Sequence, residues 1–235
     1  MQDVVRTCIL SRQWRNKCSL SHLEFNQPEF RSVQVFKNFV DCFLITHGRF
    51  EIRSFKLVMD DTVNEDEKLP DYVFKCHTLM ELRLEYVDFH LPSTVCLPSL
   101  KILKLTANAI YGEKLTENLF SSCHVLGELI IRSCSWHDFN TIICSPPNLE
   151  MLELLEKEDG IDTSDIRICS PNLKELKYFG PTLPRIDEEI YSSLVTLDFK
   201  SCERPCFEPD YSVVELFKGI RNVAKLSLDY HYSSI

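Results

Sequence analysis

Cysteine and histidine carry most of the chemical potential of this chain. It holds 11 cysteines and 7 histidines in 235 residues. A zinc site needs four such ligands brought together, often as two close pairs. Cys202-x-x-x-Cys206 is one close pair, and no second pair stands near it. The histidines are scattered singly: His22, His47, His77, His90, His124, His137 and His231. Cys76-His77 and Cys123-His124 recur just ahead of similar apolar segments. Recurrence at equivalent places points to one shared environment, and free cysteines are among the most buried residue types. The glycine-rich phosphate loops, the paired-histidine zinc motif, the nucleophile elbow and the calcium loop are all absent. Nothing groups a nucleophile, a base and an orienting residue. The expectation is a protein without catalytic, cofactor-binding or metal-binding residues.

The elements that hold these residues repeat. Leu79-Leu82-Leu84, Leu100-Leu103-Leu105, Leu126-Leu129-Ile131 and Leu149-Leu152-Leu154 share the pattern Leu-x-x-Leu-x-Leu. Leu173-Leu176-Tyr178, Leu194-Leu197-Phe199 and Val223-Leu226-Leu228 continue it. Their starts are spaced by 21, 26, 23, 24, 21 and 29 residues. That window, with Asn108, Cys134 and Cys202 at the turn position, is the signature of a leucine-rich-repeat solenoid. Ile52-Phe55-Leu57 and Leu20-Leu23-Phe25 are two weaker copies ahead of these, making nine candidate strands. Cysteines 134 and 202 are then turn residues of the repeat.

Along a strand, alternate side chains point to opposite faces. The leucines enter the core. The residues between them face outward and form the surface a partner would touch: Arg83, Glu85, Lys104, Thr106, Ile130, Arg132, Glu153, Leu155, Lys177, Phe179, Asp198, Lys200, Ser227 and Asp229. Ile130, Leu155 and Phe179 put apolar residues in the middle of a charged face, which marks either an interaction patch or a place that loops or a neighbouring segment cover. Return segments are mixed. Phe36, Phe39, Val40, Phe43 and Leu44 recur at helical spacing, as do Leu115, Leu119 and Phe120, and Val213, Phe217 and Ile220. Cys144-Ser-Pro-Pro-Asn and Cys169-Ser-Pro-Asn resemble each other and are broken by proline, so they are expected to be extended or 3₁₀-like. The acidic stretch from Asp60 to Glu67 reads as an exposed loop.

A net charge of −9 argues against nucleic acid or an anionic membrane as partner, since both need a basic footprint. No apolar run reaches 18 residues, and the first residues lack the basic-then-apolar order of a signal peptide. The expected compartment is the cell interior, where these thiols are reduced.

Residues 3–17 differ from the repeats. Val4, Val5, Cys8, Ile9 and Trp14 form an apolar stripe, with Arg6, Arg12, Arg15 and Lys17 beside it. Read alone, the segment is a short helical cap over the first repeat, which a solenoid end requires. Asp3-Val-Val-Arg-Thr7, Leu10-Ser-Arg12 and Trp14-Arg-Asn16 also resemble the second half of an F-box. Together with Leu20-Ser-His-Leu-Glu-Phe25 and the Ser-Pro-Asn-Leu phrase at Ser170–Leu173, they make the whole chain similar to plant F-box/LRR-repeat proteins.

The resemblance implies a partial F-box or helical cap over 1–18 and a leucine-rich-repeat domain over 19–235. It further implies the substrate receptor of an SCF-type ubiquitin ligase in the cytoplasm or nucleus. Val4, Val5, Leu10, Trp14 and Arg15 would meet a Skp1-like adaptor in a cullin complex, and the repeats would hold a target protein. In this family the F-box opens with a Leu-Pro-containing helix, which would fall upstream of Met1. A stand-alone leucine-rich-repeat interaction module is therefore the alternative reading.

Overall fold

The computed structural model describes residues 21–27, 30, 32–47, 51–59, 71–90, 92, 94–111, 119–120, 122–137, 141–156, 165–180, 184–201, 219–220 and 223–230. The strands in chain order are β1 (His22–Asn26), β2 (Ser54–Val58), β3 (Glu81–Glu85), β4 (Phe89–His90), β5 (Ile102–Thr106), β6 (Ala109–Tyr111), β7 (Glu128–Arg132), β8 (Ser135–His137), β9 (Thr141–Cys144), β10 (Met151–Leu155), β11 (Asp165–Ile168), β12 (Glu175–Gly180), β13 (Arg185–Ile186), β14 (Thr196–Ser201) and β15 (Lys225–Tyr230). Nine of them make one parallel sheet in the order β1-β2-β3-β5-β7-β10-β12-β14-β15. These are the nine copies of the leucine phrase, and each copy pairs with the next. Two smaller parallel sheets, β4-β6-β8 and β9-β11-β13, link the segments that leave and return.

The register is uniform. Leu82 faces Leu103, Leu103 faces Leu129, Leu129 faces Leu152, and the row continues through Leu176 and Leu197. Leu84, Leu105, Ile131, Leu154 and Tyr178 make a second row. From Leu82 to Leu197 the first row is almost wholly buried, and these residues belong to one continuous core. Every junction of the main sheet also shares one backbone device. A single carbonyl just ahead of a strand accepts two successive amides of the next repeat. Met80 accepts from Lys101 and Ile102 at 2.8 and 3.1 Å, and Gly127 accepts from Glu150 and Met151 at 2.9 and 3.0 Å. The first leucine of each central copy closes a tight turn, as in Leu100 N–H to the Leu97 carbonyl and Leu126 N–H to the Cys123 carbonyl.

Turn residues complete the repeat. Asn108 is buried; its side-chain amide donates to the Leu84 carbonyl at 3.1 Å and its Oδ1 accepts from Val87 N–H at 2.9 Å. It thereby pairs backbone groups freed as the previous strand ends, which buried polar groups require. Tyr86, Ala107 and Ser133, each just past a strand end, take left-handed φ values of 57°, 51° and 52°. Each then donates its N–H to the next strand's last carbonyl. The repeated Asn of the Pro-Asn-Leu phrase reaches back one repeat: Asn172 Nδ2 donates to the Pro147 carbonyl at 2.8 Å, and Asn148 Nδ2 donates to the His124 carbonyl at 2.6 Å. Cys123, Cys134 and Cys144 are buried, and Cys76 and Cys123 occupy equivalent turns. Cys202 and Cys206 lie outside the described residues.

The return between β1 and β2 is helix α1 (Val33–His47), with Phe36, Val40, Phe43 and Leu44 buried. Phe39 and Phe43 meet Phe25 edge-on, at 6.1 and 5.5 Å between ring centroids. This aromatic cluster covers the inward side chains of the outermost strand β1. At the other edge the outcome differs from the leucine pattern. Leu226 and Leu228 of β15 are 42% and 47% exposed, and among the described residues this strand has a sheet neighbour on one side only. The proline-broken returns are extended into β9 and β11, and the returns before β3 and β14 contain 3₁₀ turns, Asp71–Lys75 and Glu188–Ser192. Leu119 and Phe120 join the core and Ile220 packs against it. The helical cap over 1–18, the acidic stretch 60–67, and Leu115, Val213 and Phe217 lie outside the described residues.

Replacing Leu152 with Ala removes side-chain volume from the middle of the first row, and it is expected to cost about 2–5 kcal/mol. Replacing Lys104, on the opposite face, is expected to cost under about 1 kcal/mol. Urea unfolding of the two variants checks the strand phase; equal losses would contradict it.

Candidate protein-interaction face

Three outward rows cross the main sheet between the buried ones. The middle row runs Glu24, Lys56, Arg83, Lys104, Ile130, Glu153, Lys177, Asp198 and Ser227. The row toward the strand ends runs Asn26, Val58, Glu85, Thr106, Arg132, Leu155, Phe179, Lys200 and Asp229. The uniform register thus brings the outward residues expected from alternation onto one continuous face.

A third row at the strand starts was missed by the sequence reading. It contains Glu81, Glu128 and Glu175, the residues immediately ahead of the second leucine in three copies. Extending the alternation one step backward would have found them. They matter because they neutralise the cations. Arg83 Nη2 lies 2.5 Å from Glu81 Oε1, Lys104 Nζ lies 2.6 Å from Glu128 Oε1, and Lys177 Nζ lies 2.7 Å from Glu175 Oε1. Arg132 Nε contacts Glu153 Oε1 at 2.5 Å, and Lys56 Nζ lies 3.2 and 3.7 Å from Glu24 and Glu85.

Ile130 corrects the expectation. It sits on the outward face but is only 6% exposed, and it stands apart from the main core. Its register neighbours are Lys104 and Glu153, whose ion pairs with Glu128 and Arg132 flank it on both sides. Long charged side chains commonly cover apolar surface in this way. Ile130 therefore supports a roof of ion pairs and offers no bare patch. Leu155 and Phe179 stay partly exposed.

Those two residues floor a groove of about 330 Å³ over β10, β12 and β14. Its lining is Glu153, Leu154, Leu155, Lys177, Tyr178, Phe179, Asp198 and Lys200, six of which were singled out from alternation alone. Tyr178 replaces the leucine of the second buried row. A buried tyrosine hydroxyl needs a partner, and it donates to Glu156 Oε1 at 2.6 Å while its ring stacks on Phe199 at 5.4 Å. Gly180 leaves space for that hydroxyl, since any Cβ there would collide with it. Along the groove's charged side, Glu153 is held by Arg132 and Lys177 by Glu175. Asp198 differs: its Oδ1 is buried and has no hydrogen-bond partner. The adaptor-facing residues expected from the sequence, Val4, Val5, Leu10, Trp14 and Arg15, lie outside the described residues.

Burial pushes the Cys144 thiol up to about 12 and the Cys123 thiol up to about 11. Thiols so shifted are poor nucleophiles at neutral pH. Burial also works to raise the Glu81 carboxyl, but hydrogen bonds from Arg83 Nε at 2.7 Å and Ser54 Oγ at 3.0 Å outweigh it and leave Glu81 below its ordinary value. Among the described residues, no group of three or more histidine, cysteine or acidic side chains is placed to hold a metal, and no helix is long and apolar enough to cross a membrane.

A depressed folded-state value means that Glu81 contributes stability above its unfolded-state value, near 4.5. That stability is lost as pH falls through the lower folded value. Glu81→Gln is expected to lose under about 1 kcal/mol at pH 7, with a smaller difference from the parent at acid pH. Urea midpoints of both proteins across that range check the sign; a difference growing on acidification would contradict it.

A family model described as At1g61320/AtMIF1, LRR domain, matches residues 15–234. Among curated proteins, the chain is 29% identical over 207 residues to F-box protein At1g60400 of Arabidopsis thaliana, covering 74% of this chain and 51% of that protein. It is 25% identical over 211 residues to F-box/LRR-repeat protein 13 of the same plant, covering 75% and 47%. It is 26% identical over 236 residues to F-box/FBD/LRR-repeat protein At1g78750, covering 83% and 51%. The chain thus spans about half the length of these relatives. No solved structure matches. With the repeat seen in sequence, sheet and family match alike, the chain belongs to the plant F-box/LRR-repeat proteins, through their At1g61320/AtMIF1-type leucine-rich-repeat domain.

Proposed function

We propose that this chain is the target-recognition part of an SCF-type E3 ubiquitin ligase. The repeats hold a target protein on the outward strand face, and the segment containing Val4, Val5, Leu10, Trp14 and Arg15 meets a Skp1-like adaptor. The receptor performs no bond chemistry; it brings a target lysine to a charged E2 enzyme within the cullin assembly. Such an assembly works in the cytoplasm or nucleus.

The observation that carries the recognition half is the groove over β10, β12 and β14. It is concave, apolar at its floor and edged by charge, as binding sites are. Its position on a nine-stranded parallel face suits a partner that lies across several repeats. The ligase half is supported by the F-box-like residues 3–17 and by relatives whose names include the F-box.

Co-purification of the full chain with a Skp1-like adaptor tests the coupling. Retention of the adaptor, lost on deleting residues 1–18, is expected. If neither the chain nor a version extended by an upstream Leu-Pro helix retains the adaptor, the ligase reading fails. Target binding that survives such a failure would identify a stand-alone interaction module.

A further inference from the structure

We infer that the groove over β10, β12 and β14 takes a short peptide segment of the target in which a large apolar residue stands beside a basic one. The inference rests on the target-receptor reading and specifies what its surface recognises.

The floor selects the apolar residue. Leu155 and Phe179 are register neighbours in the outward row at the strand ends, and both are partly exposed. Neighbouring strands lie about 4.8 Å apart, so the two side chains form one continuous apolar seat. A cavity of about 330 Å³ stands at the small end of ligand sites. It has room for one or two side chains and no folded surface.

The charges select the basic residue. Four ionised groups line the groove, two of each sign: Glu153, Lys177, Asp198 and Lys200. Glu153 is satisfied by Arg132 and Lys177 by Glu175. Asp198 lies in the field of its register neighbour Lys177 but takes no hydrogen bond from it at Oδ1, and Lys200 stands two residues along the same strand. Asp198 Oδ1 is buried without a donor, and Lys200 has no ion-pair partner among the described residues. A buried carboxylate oxygen without a donor is costly, and native structures seldom keep one without cause. An arginine or lysine of the ligand, on displacing the groups that cover this oxygen, supplies the missing donor in charged form. Asp198 lies one strand over from Phe179 and one outward position along. That offset is within the reach of a long basic side chain whose neighbour sits on the apolar seat. The Lys200 ammonium is placed to donate to a main-chain carbonyl of the same peptide. A net charge of −9 draws such a basic segment toward the chain.

The test is selection of a random twelve-residue display library on the immobilised full chain, followed by fluorescence anisotropy with the best synthetic peptide. The expected sequences place Leu, Met, Phe or Trp within two positions of Arg or Lys. Asp198→Asn should weaken the selected peptide at least about tenfold, a loss of about 1.4 kcal/mol. Changing the peptide's basic residue to norleucine should abolish the difference between parent and variant, as a direct pair requires. Phe179→Ala should weaken both peptides, and Lys101→Ala, off the groove, neither. Selection of peptides without the apolar–basic pair, or binding indifferent to Asp198→Asn, would overturn the inference. Because no adaptor is present, peptide binding without adaptor capture would sink only the ligase coupling. Adaptor capture without peptide selection would sink only the groove assignment.

Discussion

Everything in this molecule depends on the in-register stacking of its buried rows. One repeat cannot bury its own leucines: a five-residue strand has a single apolar face and no partner to cover it. Stacked in parallel, Leu82, Leu103, Leu129, Leu152, Leu176 and Leu197 close over one another and leave water together. The backbone enforces the same alignment. One carbonyl receives two amides at each junction, so a strand displaced by a residue would lose both bonds and turn its leucines to solvent. The two edges show the rule from either side. At β1 an aromatic cluster from α1 supplies the cover a further repeat would give, and at β15 Leu226 and Leu228 remain half exposed.

The same register dictates the outward face. Aligned repeats bring positions that are distant in sequence into rows, and the rows then sort their charges. Glu128 answers Lys104 from the next strand, Arg132 answers Glu153, and Arg83 and Lys177 turn back to glutamates on their own strands. Exposed pairs of this kind add little stability one at a time. Their effect is to neutralise most of the face and to roof over Ile130. Among the described residues of this face, the apolar seat of Leu155 and Phe179 lies beside Lys200 and Asp198, whose Oδ1 has no hydrogen-bond partner.

Much of this was legible in the sequence, for a physical reason. The spacing of leucines is a direct record of strand phase, so all nine strands, the buried rows and most of the outward face could be read in advance. Asn108 was recognisable because the repeat needs a side chain there to bond backbone freed at the turn, and α1 because its phenylalanines follow a helical period. The misses share a different cause. Ile130 looked exposed because alternation gives the face of a side chain but says nothing about what neighbouring strands lay over it. Its cover comes from Lys104 and Glu153, 26 and 23 residues away in the chain, and depends on diagonal ion pairs between repeats. The groove was invisible for the same reason, and so was Asp198: a partner missing in three dimensions leaves no mark in one. The half-exposed leucines of β15 carry the same motif as the buried ones, and only sheet order separates them.

The outward face and the groove both follow from the strand register. Amide hydrogen exchange of the full chain, followed residue by residue, tests it most directly. Two successive amides should be protected at each junction: Gly127 with Glu128, Glu150 with Met151, Lys174 with Glu175, and Val195 with Thr196. Protection by a factor of about a thousand or more over the unfolded chain, shared by both members of every pair, is the expected result. Exchange of both members of these pairs at the unfolded rate would show a different strand register and would contradict it.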